Sequence, residues 1–163
     1  MAASVTIEIA KESHHFSAAH FTVFSPTERE NLHGHNFQVE ATFDGVVGAG
    51  GLCFDYNVPK SKLAELCDAL DEVLLLPGKS PHLGILEEGE TTVVEFAGER
   101  LSLPRRDVKT LPLRNVTVEE LARWFLEELR ADERIAALPV SAMTLRVSSG
   151  PGQWARATWT AAE

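Results

Sequence analysis

Two histidines separated by one glycine, His33-Gly34-His35, put imidazoles at positions i and i+2. In an extended strand these side chains project from one face, with nothing bulky between them. His20 closes the segment Phe16-Ser-Ala-Ala-His20, thirteen residues earlier. A loop that folds back would bring three neutral ring nitrogens to one point. Three protein ligands with an open fourth position is the plan of a catalytic zinc site, where the metal polarises a carbonyl or a bound water. The same His-x-His pair also reads as plain polar strand surface. His14 and His15 are adjacent, so only one faces any given side of a strand; neither is expected as a ligand, and His82 is expected on the surface.

Strands and helices must position these groups. Val5, Ile7 and Ile9 alternate with polar or small residues, and Phe37, Val39, Ala41 and Phe43 repeat the pattern, as half-buried strands do. A polar loop, Ser25 to Asn31, lies between them, and a glycine-rich turn, Gly48 to Gly51, follows. Leu63, Leu66, Cys67, Leu70, Val73 and Leu74 recur at helical spacing and predict a helix from about Asn57 to Val73, with Pro59 in its first turn. Thr117-Val-Glu-Glu120 reads as a capping box, with the glutamate reaching back, ahead of a stripe of Val118, Leu121, Ala122, Phe125 and Leu129. Residues 77–112 read as an insertion, a β-hairpin turning at Ala97-Gly98 and bordered by prolines. Met143, Leu145 and Val147, then Ala155, Ala157 and Trp159, close the chain as strands. The expected architecture is α+β: a four-stranded antiparallel sheet with two helices on one face, plus the inserted hairpin, in a single domain over 1–163.

Composition narrows the function classes. The chain has 163 residues, and 15 Lys and Arg against 24 Asp and Glu leave a net charge of −9. Such an acidic body is ill suited to nucleic acid, which calls for a basic face. No apolar run approaches a membrane span, and the opening residues lack the pattern of a signal peptide, so a cytoplasmic protein is expected. Two cysteines are too few for a disulfide framework. Cys67 is expected in the core, and Cys53 as an ordinary strand residue.

Phe16-Ser-Ala-Ala-His20, Leu32-His-Gly-His-Asn-Phe37, Gly51-Leu-Cys-Phe-Asp-Tyr56 and Thr117-Val-Glu-Glu-Leu-Ala122 together resemble the 6-pyruvoyl-tetrahydropterin synthase / 6-carboxy-tetrahydropterin synthase family. The resemblance covers roughly residues 5–75 and 113–160. It implies the tunnelling (T-fold) architecture, in which sheets from several subunits close into a barrel, and a homohexamer of two stacked trimers. It also implies zinc on His20, His33 and His35. The implied substrate is a reduced pterin with a side chain, typically 7,8-dihydroneopterin triphosphate, processed by triphosphate elimination or by retro-aldol cleavage.

Departures from the family pattern fall on the catalytic groups. The loop before His33 lacks the family's cysteine base but carries Glu30, as a subgroup of the family does; retro-aldol loss of the side chain is that subgroup's tendency. A carboxylate needs burial or a like-charge neighbour to act as a base near neutral pH, and Glu28 is the expected neighbour. The family's Asp-His relay pair reads Asp71-Glu72. The glutamate that grips the pterin edge is absent from Arg146-Val-Ser-Ser-Gly-Pro151, which leaves Glu119 to supply part of the recognition. Arg105, Arg106 and Lys109 form a basic patch, read either as a phosphate receiver or as surface balancing nearby acids. These departures keep two other readings open: a same-fold zinc enzyme with a non-pterin substrate, and a non-catalytic zinc-containing binding or assembly protein.

Overall fold

The computed structural model describes residues 4–161. Ten strands, β1 (Ser4–Ile9), β2 (His15–His20), β3 (His33–Val46), β4 (Val73–Pro77), β5 (Gly84–Glu88), β6 (Thr91–Phe96), β7 (Glu99–Pro104), β8 (Val108–Leu111), β9 (Val140–Ser148) and β10 (Ala155–Thr160), alternate with three helices, α1 (Asn57–Asp68), α2 (Val118–Ala131) and α3 (Glu133–Ala136). The expected four antiparallel strands are β1, β3, β9 and β10. The sheet is wider than that, with seven strands. The first half of β3 pairs with β2, which then pairs in parallel with β4, and β4 in parallel with β8. The T-fold α+β layout stands, extended on one side by this parallel wing.

Helices α1 and α2 cover one face. Phe16, Phe37, Phe43, Leu63, Leu70, Leu121, Phe125, Leu129 and Leu145 meet there in the main core. Phe16 stacks on Phe37 at 4.9 Å between ring centroids and tilts against Phe125 at 5.9 Å. Burying each such side chain contributes roughly 1.5–3 kcal/mol. Cys67 lies in this core, and burial pushes its thiol up to about 12.

Several local expectations change. The helix predicted to Val73 ends at Asp68; Glu72 takes a left-handed φ of 57°, and the chain re-enters the sheet at Val73. A run of Val73, Leu74, Leu75 and Leu76 fits a fully buried strand as well as a helix face, and pairing with β2 decides it. Thr117 caps α2 by accepting from the Glu120 amide at 3.3 Å, but the Glu120 carboxylate accepts from the Arg114 amide and from Arg123 rather than reaching back to Thr117. The insertion is a three-stranded sheet, β5-β6-β7, and β8, at its far end, belongs to the main sheet. Its turn falls at Ala97-Gly98 as expected, with φ of 48° and 83°, as a type I′ hairpin requires. Cys53 sits in the loop before α1 rather than in a strand, with its sulfur against Gly45.

A second, smaller core joins the inserted sheet to the parallel wing. It contains Phe21, Val23, Leu74, Leu76, Val94 and Phe96. Among the described residues, no helix is long and apolar enough to cross a membrane.

Candidate metal centre

Register in the β2–β3 ribbon assembles the histidines. Phe16 stands opposite Phe37, Ala18 opposite His35, and His20 opposite His33. All six belong to one face by the period-2 rule, and the small Ala18 leaves room for the three rings at the ribbon's end. Ring centroids of His20 lie 4.7 Å from His33 and 5.2 Å from His35. One ligand atom from each residue lies within 4.8 Å of the other two, so the cluster could hold a metal ion. Among the described residues, His14, His15 and His82 stand outside this cluster, as expected.

Hydrogen bonds prepare the rings as ligands. His20 Nδ1 is 2.9 Å from the Val116 carbonyl and His33 Nδ1 is 2.8 Å from the Asn31 carbonyl. A carbonyl only accepts, so both Nδ1 atoms carry hydrogen and both Nε2 atoms keep a lone pair toward the cluster, where His33 Nε2 lies 3.1 Å from His35 Nε2. His20 Nε2 is buried with no hydrogen-bond partner. An orphaned buried acceptor is costly unless something fills the site, and a cation facing three neutral nitrogens does so. Burial also lowers the pKa of His20, against the opposing pull of the Val116 carbonyl, which favours the neutral, ligating ring. The residues present therefore fit a bound metal. Asn115 supports this arrangement by donating to the Val23 carbonyl at 2.8 Å and accepting from the Val23 amide at 3.1 Å, which pins the chain beside Val116. From the sequence, Asn115-Val-Thr117 shows only a glycosylation pattern; the positioning role of an Asn just before a helix cap leaves no distinctive signal, since such residues are common in loops.

A depression of about 240 Å³ opens over the cluster. Glu30 and Glu119 line it with the three histidines, as do Thr117, Ser149 and Gln153, which the sequence had not singled out for this site. Glu30 Oε2 lies 4.0 Å from His33 Nε2 and accepts from the Thr22 amide at 2.9 Å. Hydrogen bonding from Thr22 holds the Glu30 carboxyl below the usual carboxylate range. The expected upward push from Glu28 is not made: Glu28 lines a separate depression with Thr27, Asn31 and Ala97, facing the inserted sheet.

Asp71 and Glu72 are not members of the histidine cluster, nor do they line the depression over it. Asp71 Oδ1 accepts from the Ser17 amide at 2.7 Å, and the Glu72 amide donates to the Ser17 carbonyl at 2.7 Å. Ser17 and Asn36 belong to the opposite face of the ribbon, where Glu72 lines a larger depression of about 500 Å³ that Ala18 and His35 also border. In the basic patch, Arg105 pairs with Glu87 and Arg106 approaches Asp107 at 3.4 Å, so the acids nearby balance both arginines.

Comparison with known proteins gives a consistent picture. The family profile described as 6-pyruvoyl tetrahydropterin synthase matches residues 8–159. A Methanocaldococcus jannaschii protein named "Putative 6-carboxy-5,6,7,8-tetrahydropterin synthase" is 31% identical over 144 residues, 86% of each chain. The crystal structure of the Plasmodium vivax 6-pyruvoyl tetrahydropterin synthase superimposes with a TM-score of 0.91 at 27% identity, covering 98% of this chain and 99% of that one. A variant of the same Plasmodium vivax protein, in which a glutamate described as the catalytic residue is replaced by alanine, gives a TM-score of 0.91 at 26% identity with the same coverage.

Proposed function

The chain belongs to the 6-pyruvoyl tetrahydropterin synthase family, and on that premise we propose that it is a zinc-dependent lyase acting on the side chain of a reduced pterin. The substrate is 7,8-dihydroneopterin triphosphate or a close relative, and the reaction is retro-aldol cleavage or triphosphate elimination. The observation that carries this reading is the convergence of His20, His33 and His35 beside an ionised carboxylate, Glu30. Zinc held by the three histidines would polarise a side-chain oxygen and make the neighbouring carbon-bound protons more acidic.

The chain's own groups do the rest. Glu30 is the general base; its carboxylate is ionised at neutral pH, and because its lowered pKa weakens it as a base, the acidifying effect of the metal on the substrate proton would have to make up the difference. The Thr22 amide donates to Glu30 Oε2, which orients the carboxylate beside the histidines. Glu119, at the first turn of α2, accepts hydrogen bonds from the heterocycle's amino edge. Asp71 and Glu72 act as the proton relay when a second copy of the chain brings them to the site, since within one chain Asp71 is tied to the Ser17 amide and neither lines the depression over the three histidines. Unpaired outer edges of β1 and β10 in the single chain favour such an assembly, a homohexamer of two trimers.

Anaerobic incubation of zinc-loaded protein with 7,8-dihydroneopterin triphosphate, with products identified by mass spectrometry, tests the reading. A 6-hydroxymethyl, 6-carboxy or 6-pyruvoyl product is expected. No consumption by protein with zinc bound would overturn it in favour of a diverged heterocyclic substrate. One feature supports that second reading: Ser149 and Gln153 line the site where no acid of the last strands does.

A further inference from the structure

The inserted sheet reaches the site through one side chain. Arg29 sits between two aromatic rings, its guanidinium carbon 5.0 Å from the Phe21 centroid and 5.8 Å from the Phe96 centroid. One terminal nitrogen donates to the Glu30 carbonyl at 2.8 Å, and the other donates to Glu99 Oε2 at 2.5 Å. The side chain is about three-quarters buried, at 26% exposure. A guanidinium can serve a carbonyl, a carboxylate and two ring faces at once because its five donors are fixed in one plane. Sandwiching between rings adds cation–π attraction to the charge-assisted pair.

Chain geometry explains why Phe96 and Glu99 both reach it. They are register partners at the end of the β6–β7 hairpin, flanking the Ala97-Gly98 turn. The second core, with Phe21, Leu74, Val94 and Phe96, docks that hairpin against the parallel wing. On the other side, Arg29 bridges Val23 in antiparallel fashion and the Glu30 amide donates to the Thr22 carbonyl at 2.9 Å. Glu30 is therefore held at three points: its amide by Thr22, its carboxylate by Thr22, and its carbonyl by Arg29.

We propose that Arg29 is a positioning residue for Glu30, through which the inserted sheet holds the base at the metal site. The assignment rests on the reading of Glu30 as the base; the mechanical link does not. It gives the insertion a role that sequence reading left open.

The test compares zinc-loaded, full-length Arg29→Met, Arg29→Lys and Arg100→Met with the parent protein. Methionine fills the space between the rings without donating, lysine keeps charge and a donor, and Arg100 lies exposed on the same hairpin, paired with Glu88 and Glu95. In Arg29→Met, kcat for the pterin substrate is expected to fall about ten- to hundredfold, with KM within about threefold and zinc content unchanged. Arg29→Lys recovers part of the loss, and Arg100→Met shows none. Added to Glu30→Gln, Arg29→Met is expected to cost nothing further, which a merely structural residue would not show. Amide hydrogen exchange at Glu30 is expected to quicken in Arg29→Met. A kcat within twofold of the parent, or a loss fully additive with Glu30→Gln, overturns the proposal. If the parent consumes no pterin, or Glu30→Gln leaves turnover intact, the functional reading fails instead. The exchange measurement then decides the link alone, and an unchanged rate at Glu30 refutes it.

Discussion

The two faces of the β2–β3 ribbon carry chemistry of different kinds. On the helix-covered face, His20, His33, His35 and Phe37 converge within a single chain, held by cross-strand register. On the opposite face, Ser17 and Asn36 bond to one another, Ser17 anchors Asp71, and Glu72 opens toward a depression that the chain leaves uncovered. The first face gathers a triad that could hold a metal within one chain, whereas Asp71 and Glu72 lie outside that triad. Strand alternation thus puts the histidine rings and the Ser17–Asn36 pair on opposite faces, and in the proposed assembly a second copy of the chain would bring Asp71 and Glu72 to the triad.

The largest effect is expected on the histidine face. His33→Ala or His35→Ala should reduce bound zinc from about one per chain to less than about a tenth, by metal analysis after dialysis, because two protein ligands hold the ion too weakly. Ser17→Ala on the other face should leave zinc content unchanged. Equal loss from both faces would break the comparison.

Next in size, Glu30→Gln should lower kcat by about 10²–10⁴ while retaining zinc, since the amide keeps the shape but cannot take a proton. Loss of zinc together with activity would instead make Glu30 a fourth ligand and the site a structural one.

Mixing sharpens the contrast between faces. Asp71→Asn and His33→Ala are each expected to be inactive. Co-refolded together, they should regain a measurable fraction of parental turnover, because some sites then combine an intact histidine face with an intact relay face. Absence of recovery, with mixed oligomers demonstrated, would remove Asp71 from the reaction.

The smallest effect comes from a position remote from both faces. Asp132 caps α3, accepts from the Arg134 amide at 2.9 Å and from its side chain, and lies 3.7 Å from Lys62 on α1. The Arg134 guanidinium lowers its pKa to about 2. A folded-state value below the unfolded one stabilises the protein above about pH 4, and that contribution fades as pH falls toward about 2. Asp132→Ala should cost about 1 kcal/mol at neutral pH, a Tm drop of roughly 2–4 °C, with the difference shrinking in acid and zinc content unaltered.

Much of the histidine face was legible in the sequence, because period-2 alternation and a two-residue spacing fix which side chains share a side. The cap of α2 and the Ala97-Gly98 turn were legible for the same reason: each depends on residues within one turn of chain. The relay face was not. Whether Leu70 to Leu76 continues a helix or enters a strand depends on the parallel partner β2, more than fifty residues earlier, and on Glu72 adopting a left-handed backbone that its residue type does not announce. Glu28 likewise could be placed beside Glu30 by spacing alone, but the loop turns it toward the inserted sheet. The link from Phe96 and Glu99 to Arg29 joins segments about seventy residues apart and leaves no local pattern.

On the histidine face a bound metal with one position left open is expected. X-ray absorption at the zinc edge of the reconstituted protein addresses it most directly. Three imidazole nitrogens at about 2.0–2.1 Å and one oxygen that exchanges with added ligand are predicted. Four non-exchanging protein ligands, or a sulfur in the shell, would contradict it.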